Sequence, residues 1–168
     1  MESSYEKSLV WLLELSQQLL QSRDLDRLSP LITQAFQKLT QTDRVYLYLK
    51  EGHGNNLTLR NSPANTPQEI NDDEEKIADI ATRIAKSKKA VIATDHAVDL
   101  DLHTRRFIHE AQLEFMVCIP LVPQHETIAV LYGDRRQAST DTTSQGEERV
   151  ITHLANLAAA ALENARMF

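Results

Sequence analysis

Cysteine is almost missing from this chain. Cys118 is the only one in 168 residues, so no disulfide can form within it. A lone thiol suits a reducing compartment. Glycine and proline are scarce, at 4 and 5 residues, which disfavours a fibrous or loop-dominated chain. No apolar run reaches the roughly 18 residues that a membrane-spanning helix needs. Met1 to Lys7 has no basic stretch leading into an apolar one, so no secretory signal is visible. Positive charge is in deficit. The formal net charge is -6, and a surface of that sign repels phosphate backbones, making nucleic acid a poor partner. Enzyme signatures are also lacking: there is no G-x-x-x-x-G-K loop, G-x-S-x-G elbow, G-x-G-x-x-G turn or H-E-x-x-H pair. These absences predict a cytoplasmic, non-catalytic protein that meets neither membrane nor nucleic acid.

What is present is enough for one real core. Apolar residues make up 42% of the chain, and its length suits a single domain over 1–168. Leu9, Leu12, Leu13, Ser16, Leu19 and Leu20 recur at helical spacing and predict a helix over 5–22, widened by Trp11 and Leu15. A second helix is expected over 25–39, with Pro30 in its first turn and Ser29 as a possible N-cap. The period then changes. Val45, Leu47 and Leu49 alternate with Tyr46 and Tyr48, a strand signal, and Gly52 to Asn56 is turn chemistry before a second strand over 57–60. Thr66-Pro67-Gln68-Glu69 fits a capping box, and the helix it would open carries Ile77, Ile80, Ala81, Ile84 and Ala85. Further strands are expected at 90–93, 115–121 and 127–135, with a polar loop and short helix over 95–112. A polar linker over 137–146 precedes a closing helix over 147–166. This order predicts an α+β fold, an α/β sandwich whose central antiparallel sheet has about six strands spanning 44–135.

Several of these segments resemble one family. Phe115-Met116-Val117-Cys118-Ile119-Pro120-Leu121 is similar to the GAF-domain strand that ends in Cys-Val-Pro-Leu. Ile128-Ala129-Val130-Leu131-Tyr132-Gly133-Asp134-Arg135-Arg136 resembles the strand after it, with Gly133 where the family usually has Leu. Leu154 to Arg166 resembles the family's Ala-rich closing helix, which ends in Glu-Asn-Ala-Arg. Asp24 to Leu28 and Leu39 to Arg44 resemble its second helix and the approach to its first strand. The resemblance spans roughly residues 5 to 168. It implies terminal helices on one face of the sheet and a small-molecule pocket, roofed by loops and short helices, on the other. It also implies a bacterial signalling role: a sensory domain that drives a kinase, cyclase or transcription module. The chain ends within its closing helix, where relatives usually continue, so it reads as part of a longer protein.

The alternation along the strands nominates Tyr46, Tyr48, Met116, Cys118, Tyr132 and Asp134 as a pocket-facing set with a few polar groups among apolar ones. The competing reading is ordinary core. Asp99 and Asp101 join this set from the polar loop that also holds Asp95, His96, His103 and His109. That loop lacks the glycine and final glutamate of an EF-hand, and it lacks zinc-ligand spacing, so no metal is assigned and no cofactor is named. Iron-holding, gas-responsive GAF domains remain an alternative through Cys118, Asp134, Asp99 and Asp101. A covalent bilin is excluded because residues 103–112 hold no cysteine, and cyclic-nucleotide binding is disfavoured because no Asn-Lys dipeptide occurs. Another alternative is a dimerisation-only module with a filled pocket. Two apolar stripes on the closing helix predict a homodimer, with Trp11, Leu15, Val150, Leu154, Leu157 and Ala161 at its interface.

Overall fold

A computed structural model describes residues 4–52, 56–62, 71–94, 100–136 and 145–167. Two helices open the chain, α1 (Ser4–Gln21) and α2 (Leu25–Thr40). A hairpin follows, β1 (Arg44–Lys50) and β2 (Leu57–Asn61), and then α3 (Asn71–Ser87). Next come β3 (Val91–Thr94), α4 (Leu102–Glu110), β4 (Phe115–Leu121), β5 (Ala129–Arg135) and α5 (Gln145–Arg166). The expected α+β sandwich is present. Its sheet has five strands among the described residues rather than about six, in the order β2-β1-β5-β4-β3, and every pairing is antiparallel. The proposed capping box at 66–69 and most of the 137–146 linker lie outside the described residues.

The start of α2 corrects the sequence reading. Asp24, not Ser29, is the N-cap: its side chain accepts the Asp26 amide at 3.0 Å from an extended backbone. Pro30 therefore lies inside the helix, where it withholds one backbone donor. The hydroxyls on either side of it bond back onto carbonyls of the helix. Ser29 Oγ donates to the Leu25 carbonyl at 2.7 Å, and Thr33 Oγ1 lies 3.0 Å from the Ser29 carbonyl and 3.1 Å from that of Pro30.

Strand alternation sends side chains to two separate cores. One lies between the sheet and α1, α2 and α5. It contains Val45, Leu47, Leu49, Phe115, Val117, Ile119 and Leu131 from the strands. The other lies under α3 and α4 and contains Tyr46, Tyr48, Met116, Cys118, Val130 and Tyr132, covered by Ile77, Ile80, Ala81, Ile84, Phe107 and Ile108. Gly133 faces α2. A Cβ there would sit 3.1 Å from the Phe36 ring and 3.1 Å from Thr42 Oγ1. These neighbours occupy the space that a larger residue would need, which explains the glycine at this strand position.

The terminal helices bring a second correction. Leu15, Val150, Leu154 and Ala161 are buried in the chain's own core, because α1, α2 and α5 pack against one another and the sheet. Both apolar stripes of α5 are used this way; Ile151, Ala158, Leu162 and Ala165 are buried as well. Trp11 is partly buried with the Lys38 ammonium 4.7 Å from its ring centroid. Of the nominated interface, only Leu157 borders the open groove between α1 and α5. Leu9, Leu12, Leu13, Ser16, His153 and Asn156 complete that groove of about 470 Å³. Leu13 is 69% exposed, and Val10 and Leu20 are also exposed on α1.

Candidate functional site

The face of the sheet under α3 collects the polar groups that the alternation singled out. Arg44 opposes Asp134 in the β1–β5 register, and Tyr46 opposes Tyr132, so the four side chains form one square on that face. Met116 opposes Asp134 and Cys118 opposes Tyr132 on the β4 side. The Tyr46 and Tyr48 rings stack, 6.3 Å apart with planes 19° from parallel, and the Tyr132 ring tilts against Tyr46. Six nominated residues, Tyr46, Tyr48, Met116, Cys118, Tyr132 and Asp134, are thus brought together and buried.

The square is held by a buried ion pair. Arg44 Nε donates to Asp134 Oδ1 at 2.7 Å, and Nη2 donates to Oδ2 at 2.9 Å. This two-pronged geometry matches a planar guanidinium to a carboxylate. The Tyr132 hydroxyl donates to the same carboxylate. From α3, Asp73 reaches over the edge and accepts from Arg44 Nη2 at 3.2 Å and Arg136 Nη2 at 3.5 Å. Burial pulls the Arg44 guanidinium down, but the hydrogen bond and charge of Asp134 more than offset it, so the net shift is upward. Burial pushes the Asp134 carboxyl above its ordinary value, against the Arg44 bonds and the Tyr132 hydroxyl. Three donors and a permanently charged partner favour its ionised form.

Two buried polar atoms of the square, Arg44 Nη1 and the Tyr46 hydroxyl, have no hydrogen-bond partner among the described residues. Leaving such a group unsatisfied costs about 1–3 kcal/mol. Burial pushes the Tyr46 phenol up to about 12 despite the nearby Arg44 charge, so it keeps its proton at neutral pH. Burial also raises Tyr48 and, with the Asp134 charge, Tyr132. The Cys118 thiol is fully buried and pushed up by that burial alone, which leaves it neutral and a weak nucleophile.

The loop candidates behave differently. Asp101 is the N-cap of α4: Oδ1 accepts the Thr104 amide at 2.8 Å, Oδ2 accepts the Thr104 hydroxyl at 2.9 Å, and Arg83 pairs with it at 3.1 Å. Burial pushes Asp101 up, but these bonds and Arg83 more than offset it and hold it below its ordinary value. Its role in the structure is to fix a helix end. Asp95, His96 and Asp99 lie outside the described residues. Among the described residues, no three His, Cys, Asp or Glu side chains converge as metal ligands do. No helix among them is long and apolar enough to cross a membrane.

Arg44 is the residue that sequence reasoning missed. Its signal was the same alternation that selected Tyr46 and Tyr48, extended one step back to the first residue of the strand.

The family model for the GAF domain matches residues 24–162. Solved structures share the fold at low identity. The GAF domain of a phosphoenolpyruvate-protein phosphotransferase from Coxiella burnetii is 15% identical, with a TM-score of 0.70, covering 98% of this chain and 98% of its own. The GAF domain of an Acinetobacter phosphoenolpyruvate-protein phosphotransferase is 15% identical, with a TM-score of 0.70, covering 99% of this chain and 97% of its own. A GAF domain of a two-component sensor histidine kinase from Bacillus halodurans is 15% identical, with a TM-score of 0.61, covering 87% of this chain and 98% of its own. No curated protein matches the sequence.

Proposed function

The chain belongs to the GAF domain family, and from that premise we propose that it is a non-catalytic sensory domain that binds a small molecule on the α3 face of its sheet. The observation that carries this reading is the buried polar square of Arg44, Tyr46, Tyr132 and Asp134, with two polar atoms unpartnered among the described residues in an otherwise apolar layer. A layer serving packing alone gains little from such groups. The unit is one cytoplasmic domain over 1–168, without nucleic-acid or membrane partners, coupled to a kinase, cyclase or transcription module. Ligand binding shifts the packing of the sheet against α1 and α5, and these helices carry the signal within a homodimer.

The dimer surface consists of Leu9, Leu13, Ser16 and Leu20 on α1, spaced as a helical seam, with Leu157 of α5 beside them. The buried residues first nominated do not supply it. A second reading, dimerisation with a degenerate pocket, is favoured by the aliphatic cover from Ile77, Ile80, Ala81 and Ile84. Thermal shift against a metabolite library separates the two readings. A sensor gains melting temperature with one compound by mass action, and Tyr48→Ala abolishes that gain. A chain that no compound stabilises, or an unchanged gain in Tyr48→Ala, contradicts ligand binding on this face.

A further inference from the structure

We propose that the polar end of this site, formed by Arg44 Nη1 and the Tyr46 hydroxyl, takes a neutral hydrogen-bond acceptor, a carbonyl or amide oxygen, and discriminates against anions. The inference rests on the reading that the α3 face receives a ligand, and it names the chemistry of that ligand.

Both groups belong to β1, two residues apart on one face, and both are buried without a partner among the described residues. Arg44 is 7% exposed and Tyr46 is fully buried. The rest of the Arg44 guanidinium is committed: Nε and Nη2 hold Asp134, and Nη2 also reaches Asp73. Nη1 therefore offers donors only, since a guanidinium has no acceptor. The Tyr46 hydroxyl can also donate. A carbonyl or amide oxygen, with two lone pairs, accepts from donors of either kind.

Charge decides between a neutral oxygen and an anionic one. The Arg44 charge is already met by Asp134, and Asp73 lies against both Arg44 and Arg136. Glu74, on the next position of α3, adds a third carboxylate whose field reaches Tyr46. Arg44 and Arg136 are thus balanced or outnumbered by Asp134, Asp73 and Glu74. An entering carboxylate or phosphate adds negative charge to a site with no positive charge to spare, in surroundings of low polarity. A neutral carbonyl gains the same two hydrogen bonds without that repulsion. Next to the donors, the near-parallel Tyr46 and Tyr48 rings and the buried Met116 and Cys118 make the surroundings apolar, which favours an uncharged group over a charged one.

Acetamide and acetate have the same shape and differ in charge, which makes them suitable probes. Each is titrated into the full chain at pH 7 while the backbone amide resonances of β1 and β5 are followed. Acetamide is expected to give saturable shifts around Arg44, Tyr46 and Tyr132, with acetate weaker by roughly tenfold or more. Tyr46→Phe should weaken acetamide several-fold, while its melting temperature without additive stays equal to that of the wild type or rises, because a hydroxyl without a partner is lost. Equal or tighter acetate binding overturns the ligand class and leaves the face reading standing. Equal acetamide affinity in Tyr46→Phe, or no saturable shift with either probe, overturns the assignment of the two donors. A lower melting temperature for Tyr46→Phe without additive overturns it too, since the hydroxyl would then have a structural partner. The Tyr48→Ala thermal shift judges the face reading independently of all these outcomes.

Discussion

Towards α1, α2 and α5, the strands present Val45, Leu47, Leu49, Phe115, Val117, Ile119 and Leu131. Towards α3 they present Arg44, Tyr46, Tyr48, Met116, Cys118, Tyr132 and Asp134. The same three central strands build both surfaces, because a strand turns alternate residues to opposite sides. The first face is aliphatic and closed by three helices, so area removed from water dominates its energetics. The second holds a buried ion pair, three phenols and a thiol, and the polarity there weakens the argument from area alone. The aliphatic and the polar parts of the domain are thus separated by one sheet thickness.

The largest expected effect breaks the polar face. Asp134→Ala leaves the Arg44 guanidinium buried without its main partner, and urea unfolding should show a loss of about 3–5 kcal/mol. Asp134→Leu combined with Arg44→Met should recover most of it, because removing both charges removes the desolvation cost as well. If Asp134→Ala is as stable as the wild type, the pair is not buried as described. On the aliphatic face the matching perturbation is steric. Gly133→Ala places a methyl group against Phe36 and Thr42, and a loss of about 1–3 kcal/mol is expected from overpacking. Ligand response should survive in Gly133→Ala and not in Asp134→Ala.

Much of this division was legible in the sequence. Period-two alternation separated Tyr46 and Tyr48 from Val45, Leu47 and Leu49, and Met116 and Cys118 from Phe115 and Val117, and the structure keeps each set on its own face. Pairings across the chain were not legible. Arg44 and Asp134 are 90 positions apart, and only the β1–β5 register sets them opposite each other. Local chemistry also misled. Ser29 before Pro30 looks like a helix start, but Asp24 caps first and the helix runs through the proline. The two stripes of α5 show the limit of counting apolar residues. Periodicity reports that Leu154 and Ala161 are covered, and does not say whether the cover is another copy or the chain's own α1 and α2.

A smaller effect comes from titrating the polar face. The ordinary phenol value is near 10, and Tyr46 in the folded chain is raised to about 12. Its contribution is fully present below the unfolded value and is lost as pH rises through the folded one. Urea midpoints measured from pH 9 upward should fall between about 10 and 12, and the fall should be shallower in Tyr46→Phe. An identical pH profile in the variant would contradict the burial of this phenol. The smallest expected effect on fold stability lies outside both faces. Leu13 is exposed on α1, so Leu13→Glu should leave monomer stability within about 0.5 kcal/mol. It should nevertheless abolish association in analytical ultracentrifugation; a variant that still sediments as a dimer would remove α1 from the interface.

Native mass spectrometry of gently purified protein tests sensing most directly, because it registers assembly and bound molecule in one spectrum. The account predicts a homodimer carrying a small, uncharged organic adduct, with the adduct lost in Tyr48→Ala while the dimer persists. A bare 19.1 kDa chain, with neither partner nor adduct at micromolar concentration, would contradict it.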